Sequence, residues 1–373
     1  MNDAPKVYFL AGTGAITAVG WNSQVNYYAV RAGVSGYKSA EYFTRHRERV
    51  SMALVPDDAL PPLREDLGVR GKLSFRDRRI LRMCHVAAAE AMNRFTGRQP
   101  VPLIFSGPAN DLNLPASLSP RFIEYLIQQS GLPIELAASR LIGTGRTGVL
   151  EALALALRYL HDSEFDEVLI GGGDSYQNSE LLAALDETDR ILAPGVMNGF
   201  APGEGASFVL LTRDPAKALR SKTHLPSLSM PGLSREPGHL FSDEPYRGDG
   251  LAQAFTQALA NNGSQSPIVD TYSSMNGEHY WAKEYGVAMI RNRERFADTC
   301  AHHHPADCYG DLGAATGAML ITLAVQAQLN SQVPNASLIY CSSDQAYRAA
   351  TCLVPMPLSA VQARHAPAAT TSP

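Results

Sequence analysis

Residues Asn198 to Leu211 read NGFAPGEGASFVLL. Three glycines and a proline crowd the first eight positions, which marks a turn rather than the interior of a helix or strand. The second half, ASFVLL, is a short apolar run with aromatic and β-branched members. A run of this length next to glycines reads as a strand buried on both faces. Such a strand needs a layer packed on each side; the alternation of strand-like and helix-like runs around it argues for α/β layering.

The rest of the chain follows the same alternation. KVYFLAG (6–12), PLIFSG (102–107) and EVLIGGGD (167–174) are short apolar runs ending in glycine, read as buried strands. NSQVNYYAVRAG predicts a helix starting at Asn22 or Ser23 and stopping at Gly33. RILRMCHVAAAEAMNRF has helical spacing, and SPRFIEYLIQQSG predicts a helix with a serine cap, a first-turn proline and a glycine stop. TGVLEALALALRYLHD is apolar nearly all round and predicts a buried helix.

After residue 213 the pattern restarts. DGLAQAFTQALANNG and HYWAKEYGVAMIRNRERF predict helices, with PIVDTYSS a strand between them. LGAATGAMLITLAVQAQL predicts a second buried helix, followed by strands SLIYCSS and ATCLVPM. Both apolar helices follow glycine-punctuated turns, GTGRTG and YGDLGAATG. We therefore expect two similar halves, 1–213 and 214–357, stacked through their apolar helices. The small-residue tail 358–373 is expected to be disordered.

Composition bounds the function. The 373 residues are 45% hydrophobic and 18% charged, an ordinary globular mix with room for two to three domains or one duplicated unit. Net charge −4 and pI about 6.2 give no basic field for nucleic acid or an anionic membrane. The local run FRDRRILR (Arg76, Arg78, Arg79, Arg82) reads as a solvated helix face or a partner-binding patch. Five cysteines with no CxxC pair suit a reducing compartment. With neither a signal-peptide pattern nor about 18 consecutive apolar residues, a cytoplasmic protein is expected.

NGFAPGEGASFVLL closely resembles the β-ketoacyl synthase run in which a Gly-Phe-x-x-Gly-Glu-Gly-Ala turn feeds a central strand. In the same order, GTGAITAVGWNSQVNYYAVRAGVSGY resembles that family's opening strand, glycine turn and first helix. LSFRDRRILRMCHVAAAEAM, EVLIGGGDSYQNSELLAAL and PYRGDGLAQAFTQAL resemble three further segments, so the likeness spans roughly residues 6–356. It implies the thiolase-like fold, two pseudo-duplicated halves in five α/β layers. Glu204 matches the family's structural glutamate, which implies a buried turn organiser.

The resemblance also implies where chemistry would reside. These condensing enzymes carry the acyl chain on a cysteine at the N-terminus of a buried helix, where backbone N–H groups form an oxyanion hole. Two histidines assist decarboxylation of the donor. Here the cysteine position falls on Gly145, the first histidine on Tyr272 and the second on Gly310, with Pro305 at the usual lysine. SSDQ (Ser342 to Gln345) replaces the gating turn. Glycine offers no atom for a thioester, so no catalytic residue is expected.

Other clusters invite weaker readings. GTGRTG could receive an anion or acyl ligand through Thr144, Arg146 and Thr147, with Asp311 facing the same cleft; or it is scaffold only. Cys300, His302, His303, His304 and Cys308 match no zinc spacing and read as a polar loop ahead of a strand, with no metal. Asn276, Glu278, His279 and Glu284 could do acid–base work, or cap and decorate a helix. Asp311 reads as a carboxylate bonding turn backbone, and Asp174 follows a glycine turn. No cofactor is expected.

The resemblance implies a catalytically silent homodimer, joined through AASRLIGTG, that acts as scaffold, adaptor or partner subunit. Its alternatives are a chain-length-type subunit beside an active ketosynthase and acyl carrier protein, or an acyl-ligand binding module. Degenerate thiolase-like proteins also occur among accessory genes of bacterial type VI secretion, so a secretion component is a further implied partner.

Overall fold

The structure, a computed structural model, describes residues 8–68, 73–109, 118–162 and 165–360. The expected disordered tail lies outside the described residues from 361 onward.

Thirteen strands are described: β1 Tyr8–Thr17, β2 Lys38–Phe43, β3 Arg49–Met52, β4 Leu103–Ser106, β5 Arg140–Ile142, β6 Glu167–Ser175, β7 Glu204–Thr212, β8 His224–Leu228, β9 Gly232–Arg235, β10 Ile268–Ser273, β11 Phe296–His303, β12 Ser337–Ser342 and β13 Tyr347–Pro357. The helices are α1 Ser23–Arg31, α2 Phe75–Ala91, α3 Phe122–Ser130, α4 Gly148–Asp162, α5 Ser179–Glu187, α6 Asp249–Asn261, α7 His279–Arg291, α8 Ala306–Tyr309 and α9 Thr316–Asn330.

Eleven of the strands form one sheet whose path is β11-β10-β12-β13-β8-β1-β7-β6-β4-β5, with β9 added to β13; β2 and β3 form a separate hairpin. The path is two copies of one pattern joined in the middle. In β1-β7-β6-β4-β5 the first two pairings are antiparallel and the last two parallel. The run β8-β13-β12-β10-β11 repeats that sequence of directions. The seam is short: Tyr8 pairs with Leu228 and Phe9 with Ser227.

The layers follow from which faces are apolar. α4 and α9 pack together between the half-sheets, sharing a core with Ile170 and Val209 on one side and Ile339 and Leu353 on the other. Eleven of the fifteen α9 residues are buried, which explains its lack of a polar face. α2 and α3 cover the outer face of the first half-sheet, and α6 with α7 that of the second. This is a mixed α/β fold of the thiolase-like kind. Among the described residues, no helix is long and apolar enough to cross a membrane.

Local signals mostly set the boundaries. Asn22 caps α1, its side chain accepting from the Val25 N–H, and Gly131 ends α3 in the left-handed conformation. The expected serine cap of α3 does not form. Arg121 holds that position, and Ser119 instead closes the preceding turn through the Phe122 N–H. The first strand does not end at Gly12 as KVYFLAG predicts but runs on through GTGAIT, because β7 pairs with it as far as Thr17.

The FRDRRILR run is not a solvated face. Arg76 and Arg79 are buried, Arg76 bonding Asp174 at 2.7 Å and Arg79 bonding Glu204 at 2.5 Å. Glu204 is fully buried at the head of β7 and also accepts the Val55 N–H at 2.8 Å and the Ser175 hydroxyl at 2.7 Å. A carboxylate so placed requires a cation, and helix α2 supplies it. The histidine run is likewise strand, not loop: Cys300 to His303 belong to β11, paired parallel to β10.

Candidate functional site

The head of α4 is where the resemblance places chemistry. A single 3-10 turn, Gly145–Thr147, leads into the helix. Gly145 sits there with φ +69°, a conformation that disfavours any side chain. One backbone donor at this helix head is already engaged. The Thr147 N–H donates to Ser343 Oγ at 3.1 Å, and that hydroxyl donates to the Thr144 carbonyl. Thr147 Oγ1 donates to Glu151 at 2.8 Å. A side-chain hydroxyl thus occupies a backbone donor that an oxyanion hole would leave free.

Arg146 points inward rather than to solvent. It is buried, and Nε donates to Asp311 Oδ2 at 2.9 Å while Nη2 bonds the same oxygen. Nη1 donates to Asp344 Oδ1 at 2.6 Å. Asp344 also accepts from Arg190 at 2.9 Å, and Arg190 holds Glu278 through two bonds of 2.7 and 2.9 Å. Asn276 Nδ2 donates to Asp311 at 2.8 Å, and Trp281 Nε1 donates to Glu278 at 3.0 Å. The Trp281 ring lies under both Arg146 and Arg348, 5.5 and 5.7 Å from its centre. Arg348 is fully buried and bonds Glu284 at 2.5 Å.

The electrostatics make the cluster self-contained. Three guanidiniums (Arg146, Arg190, Arg348) face four carboxylates (Asp311, Asp344, Glu278, Glu284). Burial alone would raise the Asp344 carboxyl, but Arg146 and Arg190 hold it well below the usual carboxylate range. Burial would lower the Arg146 guanidinium, and Asp311 and Asp344 instead hold it well above its ordinary value. Burial raises the Glu284 carboxyl, opposed by Arg348 and the Ser342 hydroxyl.

The sequence positions therefore part company. Gly145, Arg146, Thr147 and Asp311 come together, with the Thr144 carbonyl on Ser343. Gly310 has φ +73°, and a side chain there would sit 2.7 Å from the Ala201 carbonyl; its neighbour Asp311 carries the group that enters the cleft. Asp311 also accepts the Gly313 N–H at 2.8 Å, the turn-bonding task expected of it. Tyr272 stands apart: its ring stacks on His303, 4.6 Å between centres, and lines a different cavity. Asn276, Glu278 and Glu284 do not decorate a helix surface. All three are buried members of the ion network, and only His279 is exposed. Pro305 precedes α8 as its cap residue, away from any charged partner role. Asp344, Arg190, Trp281 and Arg348 were not singled out by sequence. For Arg348 the signal was a charge just ahead of the apolar run AATCLV; the others carried none.

Room at the cleft is small. A cavity of about 70 Å³ touches Gly145, Arg146, Tyr176 and Asp344, enough for a few waters and far below the roughly 300–1,000 Å³ of small-molecule sites. Outside it lies an open basin of about 890 Å³, with Arg190 and Glu278 in its floor and Met197 and Phe241 on its rim. Burial raises all five thiols above their ordinary value, Cys300 and Cys352 to about 11, so none is poised as a thiolate. Among the described residues, no histidine, cysteine and carboxylate cluster could hold a metal ion.

No family model matches the chain, and neither does any curated protein. Solved structures do. A ketosynthase from module 6 of the bacillaene synthase of Bacillus subtilis 168 superposes with a TM-score of 0.72, at 13% identity over 93% of this chain and 72% of that one. A ketosynthase in complex with its chain length factor from Xenorhabdus doucetiae gives 0.70, at 15% identity over 95% and 100%. A β-ketoacyl synthase from Burkholderia phymatum STM815 gives 0.71, at 12% identity over 94% and 100%. By its layers, its doubled strand order and these superpositions, the chain has the thiolase-like fold of the ketosynthases and chain length factors.

Proposed function

We propose that this protein is a non-condensing subunit on a ketosynthase fold, working as a homodimeric scaffold or partner. One observation carries the reading: a glycine stands at the head of the buried helix, and the cleft opposite it is closed by Arg146, Asp311 and Asp344. Acyl transfer needs a nucleophile there, and decarboxylation needs a group that can polarise the donor's thioester carbonyl. Gly145 provides no nucleophile. The nearest cation, Arg146, is saturated by carboxylates. An anionic malonyl group would meet three buried guanidiniums already outnumbered by four carboxylates.

The dimer is supported by β5, which ends the sheet path as a three-residue edge strand with Leu141 exposed at its centre and Leu136 exposed just before it. An unpaired edge of this kind favours pairing with its own copy. Sedimentation of the purified chain should give twice the monomer mass, and Leu141→Asp should lower it.

Incubation with radiolabelled acyl- and malonyl-loaded acyl carrier protein tests the silent reading. We expect no covalent label and no carbon dioxide release above buffer. Stoichiometric labelling of the chain, or decarboxylation abolished by Asp311→Asn, would overturn it.

A second reading is favoured by one similarity: a structural neighbour is a ketosynthase bound to its chain length factor. A subunit of that type binds an active ketosynthase instead of its own copy. Co-purification of an active condensing enzyme with the full chain, in equal amounts, would select it over the homodimer.

A further inference from the structure

Asp344 is held differently from the other carboxylates of the cleft. Arg146 gives Nε and Nη2 to Asp311, and Arg190 gives the same two nitrogens to Glu278. Each arginine thereby has one carboxylate of its own. The remaining Nη1 of each turns to Asp344: Arg146 Nη1 donates to Oδ1 at 2.6 Å, and Arg190 Nη1 to Oδ2 at 2.9 Å. One carboxylate group therefore bridges two guanidiniums, with an oxygen for each.

Asp344 is also closer to water than its neighbours. Its side chain is 25% exposed, against 1% for Asp311 and 4% for Glu278. It sits between β12 and β13, in a turn whose backbone Arg348 fixes by donating to the Ser343 and Gln345 carbonyls. The part left to move is the side chain, by rotation about χ1. Space adjoins it on two sides. Asp344 lines the cavity of about 70 Å³, and Arg190, which bonds it, lines the open basin of about 890 Å³.

We propose that Arg146 and Arg190 form a carboxylate-binding site whose present occupant is the chain's own Asp344. The contact is autoinhibitory: a carboxylate-bearing ligand arriving through the basin must displace that side chain. The ligand class is selected by what already sits there, since a carboxylate offers one oxygen to each Nη1 and a spherical anion does not. With Asp344 gone, Arg146–Asp311 and Arg190–Glu278 remain as two neutral pairs, so one added negative charge restores the original balance. The site does not rest on the silent-subunit reading: covalent labelling by a carrier protein would sink that reading and leave this one standing.

Asp344→Ala removes the occupant and leaves both Nη1 groups facing its place, whereas Asp344→Asn keeps that place filled by a neutral group. Thermal unfolding of the full chain and both variants is followed along a sodium formate series, with sodium chloride at equal ionic strength as the control. Formate should raise the Asp344→Ala midpoint saturably and beyond chloride. The tethered Asp344 competes at high effective concentration, so the parent should bind formate more weakly by roughly tenfold or more. Asp344→Asn should respond no more than the parent. The proposal is overturned if formate does no more than chloride for Asp344→Ala, including failing to restore its fold should it unfold without the anion. It is equally overturned if the parent or Asp344→Asn responds as strongly as Asp344→Ala.

Discussion

Arg146 and Asp311, 165 residues apart, meet in a buried ion pair that ties the head of α4 to the turn before α9. Each is the neighbour of a left-handed glycine, Gly145 and Gly310. The two turns lie ahead of α4 and α9, so the pair ties one half to the other. Exchanging a buried pair for apolar residues often costs little, whereas removing one partner strands a charge.

Asp311→Leu should therefore destabilise the protein by about 3 kcal/mol, leaving Arg146 with Asp344 alone. Adding Arg146→Met should recover most of that loss. Urea unfolding of the two single variants and the double variant measures the coupling.

Gly145→Cys should not create a condensing enzyme. The left-handed backbone there costs a non-glycine residue about 1–2 kcal/mol, and the new Cβ would lie 3.3 Å from that of Ala109. No imidazole faces it among the residues bonded in this cleft. The variant should show a lower unfolding midpoint and still transfer no acyl group from a labelled carrier protein.

Stability should fall as pH drops from about 6.5 towards 4. His302 lies flat on Tyr285, 4.0 Å between centres, and burial, followed by His304 and His303, pushes its pKa down to about 4. The unfolded chain then takes up a proton that the folded ring refuses, so the stability present above the unfolded value is lost through that window. His302→Phe should flatten the urea midpoint between pH 6.5 and 4 relative to the parent. Asp344, held low by its arginines, acts in the same direction at still lower pH, below the usual carboxylate range.

Arg79→Ala should cost about 3 kcal/mol by stranding buried Glu204. Arg78→Ala, one residue earlier and only partly buried, should cost less than about 1 kcal/mol. Thermal unfolding of the pair distinguishes a structural arginine from a surface one within a single turn of α2.

The layered fold was legible because strands such as ASFVLL and helices such as α9 are apolar on every side, which only a sandwiched position tolerates. That no cysteine lies near GTGRTG was legible too. The ion cluster behind that turn was not. Arg146 and Asp344 are far apart in the chain, and a charge looks the same in sequence whether water or a carboxylate faces it. Arg76 and Arg79 misled for that reason: their helical spacing fits a wet face, and only the positions of Asp174 and Glu204 turn it inward. Tyr272 missed the cleft because strand residues alternate sides, so one step of register sends a ring to the opposite face.

The strand β1 is hydrogen-bonded to β7 along most of its length and to β8 at Tyr8 and Phe9. It is thus stitched to both repeats at once, and neither can swing as a rigid leaf without tearing that seam. The molecule should consequently melt in a single calorimetric step, and any partner must recognise a surface that is already set, not one that opens to receive it.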